Sequence, residues 1–274
     1  MSTSRRRCGA LHAKRVFDRI WPRVALLATI LLVWWAVYET GWIDPSKLPS
    51  PADVWNAFTS NITGSSGLLP AARGSIIRLA FGLSVAVVVG TLIGFAMVAS
   101  VVVQRSVGTL MTALQALPSI AWLPLAIVWF GFTERAVMFV VFIGGVPAVA
   151  IATAISIRQV PPTLVRAART MGAKGWTLQR TVVLQACVPG YWTGLQQAWA
   201  VAWRALLAAE IIRVGAARGL GHLLEASLLQ ASAEDTAMLI AVMGVIVVIG
   251  LAIDSFFSVM DRRIRSKRGL LVPA

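Results

Sequence analysis

Six stretches of this 274-residue chain run free of charge, or nearly so, for about the length a bilayer requires. A hydrocarbon core of ~30 Å takes roughly 20 apolar residues as a helix. Val24–Tyr38 is uncharged and is extended by Trp21 and Trp42, residues suited to the two interfaces. Leu79–Val103, Ser106–Thr133, Ala136–Ile157 and Thr181–Trp203 follow, then Thr236–Ile253 continued by Phe256–Met260. Buried helices of soluble proteins normally keep a polar stripe, and these runs are apolar all round. Composition agrees: 58% of residues are apolar and 13% charged, against about 45–50% and about a quarter in soluble domains. Disorder is excluded by the same numbers. Cys8 and Cys187 are too few and too far apart for a disulfide scaffold. The basic leader before the first run resembles a secretion signal, but no small-residue cleavage site follows it, so an uncleaved span is expected.

The reading is therefore an all-α integral membrane protein with six transmembrane helices, about residues 20–42, 76–103, 107–131, 136–157, 188–212 and 236–258. Residues 1–19 form a basic N-terminal segment, 158–187 a long loop and 264–274 a tail. The net charge of +14 orients the bundle. Eighteen basic residues fall before span one, between spans two and three, between four and five, and after six; five fall on the opposite side. The positive-inside rule makes the basic side, with both termini, cytoplasmic. In a soluble protein such charge would point to nucleic acid; here it marks one membrane face. The N-terminal cluster also suits anionic lipid headgroups, although a topology signal suffices to explain it.

Small residues recur every four positions in two spans: Gly82, Ala86, Gly90 and Gly94, then Gly144, Ala148, Ala152 and Ser156. Such ridges let helix backbones approach closely, and a tightly packed bundle is the ordinary consequence; a dimer face or pathway lining is the alternative. Catalytic apparatus is not visible: there is no phosphate loop, no H-E-x-x-H and no paired-carboxylate cluster. His12 and His222 fall on opposite sides, so a histidine metal site is not expected. The loop at Gln159–Cys187 stands apart, with several basic residues and no acidic one. Pro162 at a first helical position and Gly172 just past an end punctuate a short helix, Pro162–Met171. A second stretch, Gly175–Leu184, precedes Pro189, which is expected to open span five. Leu164, Ala167, Ala168 and Met171 share one face at helical spacing. Either an interfacial anchor or a docking knob for a soluble partner fits that pattern.

Arg166-Ala167-Ala168 with Gly172, then Val182, Leu184 and Pro189, resembles the E-A-A-x-x-x-G signature of importer-type ABC transporter permeases. Arg166 replaces the usual Glu, and Gln185 the first Pro of a Leu-Pro pair. Leu48-Pro49-Ser50-Pro51, Gly74–Gly82, Leu117-Pro118 with Ala121-Trp122-Leu123-Pro124, Trp129-Phe130-Gly131, Trp203, Ala208-Ala209-Glu210 and Arg218-Gly219-Leu220-Gly221 are similar to blocks in permeases for taurine, aliphatic sulfonates, nitrate and bicarbonate. An Asn-Thr pair common in relatives after Pro147 is absent. The resemblance covers roughly Trp21 to Arg263 and implies the type I ABC importer permease fold over residues 20–263. It implies no enzyme activity and no cofactor on this chain, with ATP and Mg bound by a partner ATPase. Implied partners are a second permease copy, two ATP-binding cassette subunits, a periplasmic or lipid-anchored substrate-binding protein and membrane lipids. The implied coupling segment comprises Pro162, Leu164, Val165, Arg166, Ala167, Ala168, Arg169, Met171, Gly172, Ala173 and Lys174. The implied cargo is a small anion, taurine or another sulfonate first. Nitrate, bicarbonate, a thiamine-pyrimidine precursor and riboflavin are the alternatives within the same architecture.

Ionisable residues within spans are functional suspects, and Arg204, Glu210 and Asp254 stand out. Arg204 and Glu210 lie about 240° apart around a helix, so they do not face each other. Glu210 and Arg213, three apart, could pair; Asp254 could pair with a neighbouring arginine. Pro118 and Pro124 free carbonyls within span three. Gln115, Pro118, Trp122, Pro124, Trp203, Arg204 and Glu210 are the candidate translocation path or gate. A self-sufficient secondary transporter would want an internal repeat and midplane carboxylates; no convincing repeat is present.

Overall fold

A computed structural model describes residues 21–22, 24–44, 46–64, 67–212, 219–230 and 232–268. Among them every regular element is a helix and no strand occurs. In chain order these are α1 (Val24–Glu39), α2 (Pro51–Ser60), α3 (Leu68–Ala99), α4 (Val101–Ala116), a 3₁₀ turn (Ser119–Trp122) and α5 (Leu123–Phe130). There follow α6 (Glu134–Arg158), α7 (Pro162–Thr170), α8 (Gly175–Leu178), a π turn (Gln179–Val183), α9 (Leu184–Ile211), α10 (Leu220–Gln230) and α11 (Ala233–Ser266).

The residues fall into two units: the chain up to Ser60 with 227–241, and 61–226 with 242–274. In the smaller unit, Ser50 and Asp53 form a reciprocal cap at the start of α2: Asp53 Oδ2 accepts from the Ser50 amide (3.1 Å), and Ser50 Oγ accepts from the Asp53 amide (3.1 Å). The Trp34 indole donates to the Pro49 carbonyl (3.1 Å) and Thr236 Oγ1 to the Ser46 carbonyl (2.9 Å).

The larger unit is organised around α6, which packs most extensively against α3 and α9. The two small-residue ridges explain how. A Cβ at Gly90 would stand 2.7 Å from Val149 Cβ, and one at Gly94 2.5 Å from Thr153 Cβ, so the α3 ridge lies directly on α6. Gly144 meets Ser119 and Ala205, while Gly190 and Gly194 of α9 meet Ser156 and Ala152, so the other ridge of α6 receives the 3₁₀ turn and α9. Close approach of glycine and alanine faces is the packing expected where no hydrophobic effect drives helices together. The opposite face of α3 exposes Phe81, Val85, Val88 and Leu92, an apolar surface fit for lipid or protein and not for water.

Among the described residues three helices, α3, α6 and α11, are long and apolar enough to cross a membrane, and α4 with the segment after it would make a fourth. That fourth corrects the sequence reading. Ser106–Thr133 is not one straight span: its halves meet at 99°. Leu117 takes an extended conformation (φ −79°, ψ 125°) because the following proline disfavours the helical region. Pro124 does not kink a helix either, since it lies in the first turn of α5, where its missing N–H is no loss. Span two also ends earlier than expected. α3 stops at Ala99, the Ser100 hydroxyl caps α4 by accepting from the Val103 amide, and Arg105 therefore lies inside a helix. Pro189 does not open span five; α9 begins at Leu184 and carries buried Pro189 within it, as membrane helices tolerate where neighbours repack. α9 is 28 residues long, but Tyr, Gln, Arg and Glu side chains lower its apolarity. Residues 1–20 lie outside the described residues, as do residues 269–274 of the tail.

Candidate functional site

The basic loop folds as a short helix with a defined stop. Pro162 occupies the first turn of α7. At the other end the Gly172 amide donates to the Arg169 carbonyl (3.0 Å) and the Ala173 amide to the Ala168 carbonyl (3.0 Å). That is a Schellman motif, which needs a left-handed residue past the cap; Gly172 supplies it with φ +89°. The expected helix Pro162–Met171 is thus right to one residue. The second stretch is not a single helix: α8 passes through the π turn directly into α9.

The face shared by Leu164, Ala167, Ala168 and Met171 is divided. Ala168 is buried, and Val165 packs on a cluster of Val160, Val183 and Cys187 contributed by the end of α6 and the start of α9. Leu164, Ala167 and Met171 face outward, with Met171 80% exposed. The small residue Ala168 takes the buried position, and the longer Leu164 and Met171 stand outside. Arg166, Arg169 and Lys174 are exposed around this apolar patch, and Ala173 is half-buried behind it. Trp176, 73% exposed, extends the patch.

A second constellation joins α3, α9 and α10. Glu210 is buried, and its carboxylate accepts from Arg78 Nη1 (2.5 Å), Ser75 Oγ (2.8 Å) and the Gly221 amide (3.1 Å). The Leu220 amide donates in turn to Ser75 Oγ (3.0 Å). Arg78 also approaches Glu134 at 3.6 Å. Four donors on one buried carboxylate and its neighbour make a satisfied polar network. The Glu210 partner is thus Arg78; Arg213 lies outside the described residues. Arg78, Ser75 and Glu134 escape a reading that looks for charges only inside charge-free runs, because Arg78 bounds such a run. An arginine one residue before 25 uncharged ones is the signal that finds it.

The third feature is a cavity of about 410 Å³ at the α4–α5 break. Gln115, Leu117, Pro118, Ser119, Ile120, Val201, Arg204, Ala205 and Ala208 line it. Of the expected path residues it gathers Gln115, Pro118 and Arg204. Trp122, Pro124 and Glu210 do not line it, and Trp203 is buried, stacked on Trp199 with centroids 5.4 Å apart. Arg204 donates Nε to the Ala200 carbonyl of its own helix (3.0 Å) and faces away from Glu210. Among the described residues Asp254 pairs with no arginine; it accepts from Gln196 Nε2 (2.6 Å), tying α11 to α9.

Residues 86–266 match the family described as "Binding-protein-dependent transport system inner membrane component". The chain belongs to that family. It is the permease subunit of an ABC importer, a multi-pass component of the bacterial inner membrane that translocates and is not itself an enzyme. The taurine transport system permease protein TauC of Escherichia coli (strain K12) is 28% identical over 271 residues, covering 94% of this chain and 96% of TauC. The nitrate import permease protein NrtB of Synechocystis is 27% identical, covering 92% of this chain and 90% of NrtB. In fold, the permease is similar to a chain of the MetNI methionine ABC transporter in an inward-facing conformation. The TM-score is 0.61 at 17% identity, over 78% of this chain and 99% of that one. The three-helix packing of α3, α6 and α9 lies largely within the matched residues.

Proposed function

We propose that this permease imports a small anion, an organic sulfonate such as taurine first, and that α7 receives the movement of a separate ATPase. The observation that carries the coupling role is the divided face of α7. Val165 packs on Val160, Val183 and Cys187 and Ala168 is buried, while Leu164, Ala167 and Met171 remain exposed inside a rim of Arg166, Arg169 and Lys174. A rooted helix with an unpartnered apolar crown transmits displacement to the two helices beneath it, as rigid-body switching requires. ATP and Mg belong to the partner in this scheme. The assembly comprises two permease copies, two ATPase subunits and an external binding protein. Six crossings place both termini and α7 in the cytoplasm.

The anionic cargo is supported by the names of the relatives, whose solutes include taurine and nitrate, and by Arg204 at the cavity. Nitrate stands as the second reading on the same ground. The test is co-purification with an ABC ATPase subunit from the same cell, followed by uptake in proteoliposomes with the binding protein present. Deleting Pro162–Met171 should abolish ATP-coupled uptake while the membrane domain still folds; full uptake after that deletion would sink the coupling role. Uptake driven by an ion gradient without ATPase would favour a secondary transporter instead.

A further inference from the structure

We infer that Arg204, with Gln115 and Ser119, forms an intramembrane oxyanion site at which the cargo pauses during translocation. The inference rests on the anionic-cargo reading and adds to it a place and a specificity-determining residue.

The argument starts from the state of Arg204. It lies seven residues before the end of α9, about 10 Å below it at 1.5 Å per residue. An arginine at such depth is expensive unless it is paired or serves a pathway. Among the described residues its hydrogen bonding is limited to the Ala200 carbonyl of its own turn, through Nε. Both terminal nitrogens of the fork are left over. Among the described residues no acidic one lines the cavity, and the nearest carboxylate on its helix, Glu210, is occupied by Arg78, Ser75 and Gly221.

The surroundings supply what a small oxyanion needs. Gln115 brings an amide from the last turn of α4, and Ser119 a hydroxyl from the 3₁₀ turn. Ser119 sits against α6, its Oγ within 2.7 Å of where a Cβ of Gly144 would stand, and a rotation about χ1 would bring the hydroxyl to the cavity. The remaining wall is small and apolar: Pro118, Ile120, Val201, Ala205 and Ala208. A planar guanidinium reads a pair of oxygens bidentately, and the apolar wall accepts a short carbon body. A C1–C3 sulfonate or carboxylate fits that chemistry; a cation does not. The α4–α5 break creates the site, since a straight helix through Leu117-Pro118 would leave no hollow for the head group.

The test uses the full-length permease in nanodiscs with Cys8 and Cys187 replaced and one reporter, Ala208→Cys. Ethanesulfonate is the probe. It should slow labelling by N-ethylmaleimide, and Arg204→Gln should remove the protection while Arg204→Lys keeps part of it. A sulfonate-bearing methanethiosulfonate should react about tenfold faster than its trimethylammonium counterpart beside Arg204, a field effect lost in Arg204→Gln. A second reporter, Ile120→Cys, repeats the measurement if the first variant misfolds. Protection unchanged by Arg204→Gln, or no charge preference at either reporter, would overturn the site. The cargo reading is tested separately by uptake. Sulfonate uptake with no protection overturns this site alone. Protection with uptake restricted to a neutral or cationic solute overturns the cargo reading, and with it the claim that cargo pauses here.

Discussion

Arg78 of α3 and Glu210 of α9 meet at 2.5 Å in a buried ion pair that also captures Ser75 and the start of α10. Two helices that flank α6 are thereby tied to one another by charge as well as by packing. Removing one partner strands the other, which costs about 3–5 kcal/mol in buried pairs. Arg78→Ala and Glu210→Ala should each lower the thermal unfolding midpoint in detergent clearly. Replacing both by apolar residues, Arg78→Met with Glu210→Leu, should recover most of the loss, because the desolvation term disappears with the charges. Equal and additive losses in the double variant would contradict the pair.

Glycine substitutions should divide sharply by position. At Gly94 an added Cβ would stand 2.8 Å from the Ala150 carbonyl oxygen, a backbone atom that cannot rotate away. Gly94→Ala should therefore separate α3 from α6 and cost about 1–3 kcal/mol, the range for overpacking. Gly244 of α11 has nothing within 4 Å, so Gly244→Ala should be neutral or slightly stabilising through helix propensity, by up to about 1 kcal/mol. Unfolding midpoints of the two variants check this.

These contrasts also explain what a reader of the sequence can and cannot see. The charge-free runs and the spacing of Gly82, Ala86, Gly90 and Gly94 disclose apolar helices and close packing, because both are periodic along one strand of text. The stop at Gly172 is equally local. What escapes is whatever depends on two distant segments. Arg78 and Glu210 are 132 residues apart, and nothing near either names the other. The break at Leu117-Pro118 is legible as a proline, but neither its 99° angle nor the close approach of Ser119 to Gly144 can be read from the proline. The inward turn of Ala168 beside outward Leu164 follows from the crevice between α6 and α9, which periodicity alone cannot reveal.

The Schellman stop of α7 yields a substitution series. Gly172 has φ +89° and open space around it, so any loss on substitution is conformational and not steric. Gly172→Val should reduce transport-coupled ATPase activity most, since a branched side chain resists positive φ. Gly172→Ala should be intermediate and Gly172→Asn closest to the natural chain, because Asn tolerates the left-handed region best. The unfolding free energy of the membrane domain should fall by no more than about 1–2 kcal/mol across the series. Equal activities across the three variants would remove any need for a fixed loop exit.

The crown of α7 provides the last and most direct discrimination. Leu164 is 48% and Met171 80% exposed, whereas Ala168 is 3% exposed. A surface charge away from packed features changes stability by about 0.5 kcal/mol or less, but a charge in an apolar contact weakens binding severely. Leu164→Asp and Met171→Asp should therefore leave the permease folded and strip the ATPase from it on co-purification. Ala168→Asp should do the opposite in kind, disrupting the chain itself by burying a carboxylate at a position that is 3% exposed. If α7 were only an interfacial anchor, the two crown variants would release it from the bilayer without altering ATPase recovery. Protease accessibility of the loop and the yield of ATPase on the affinity column, measured on the same preparations, separate the two roles.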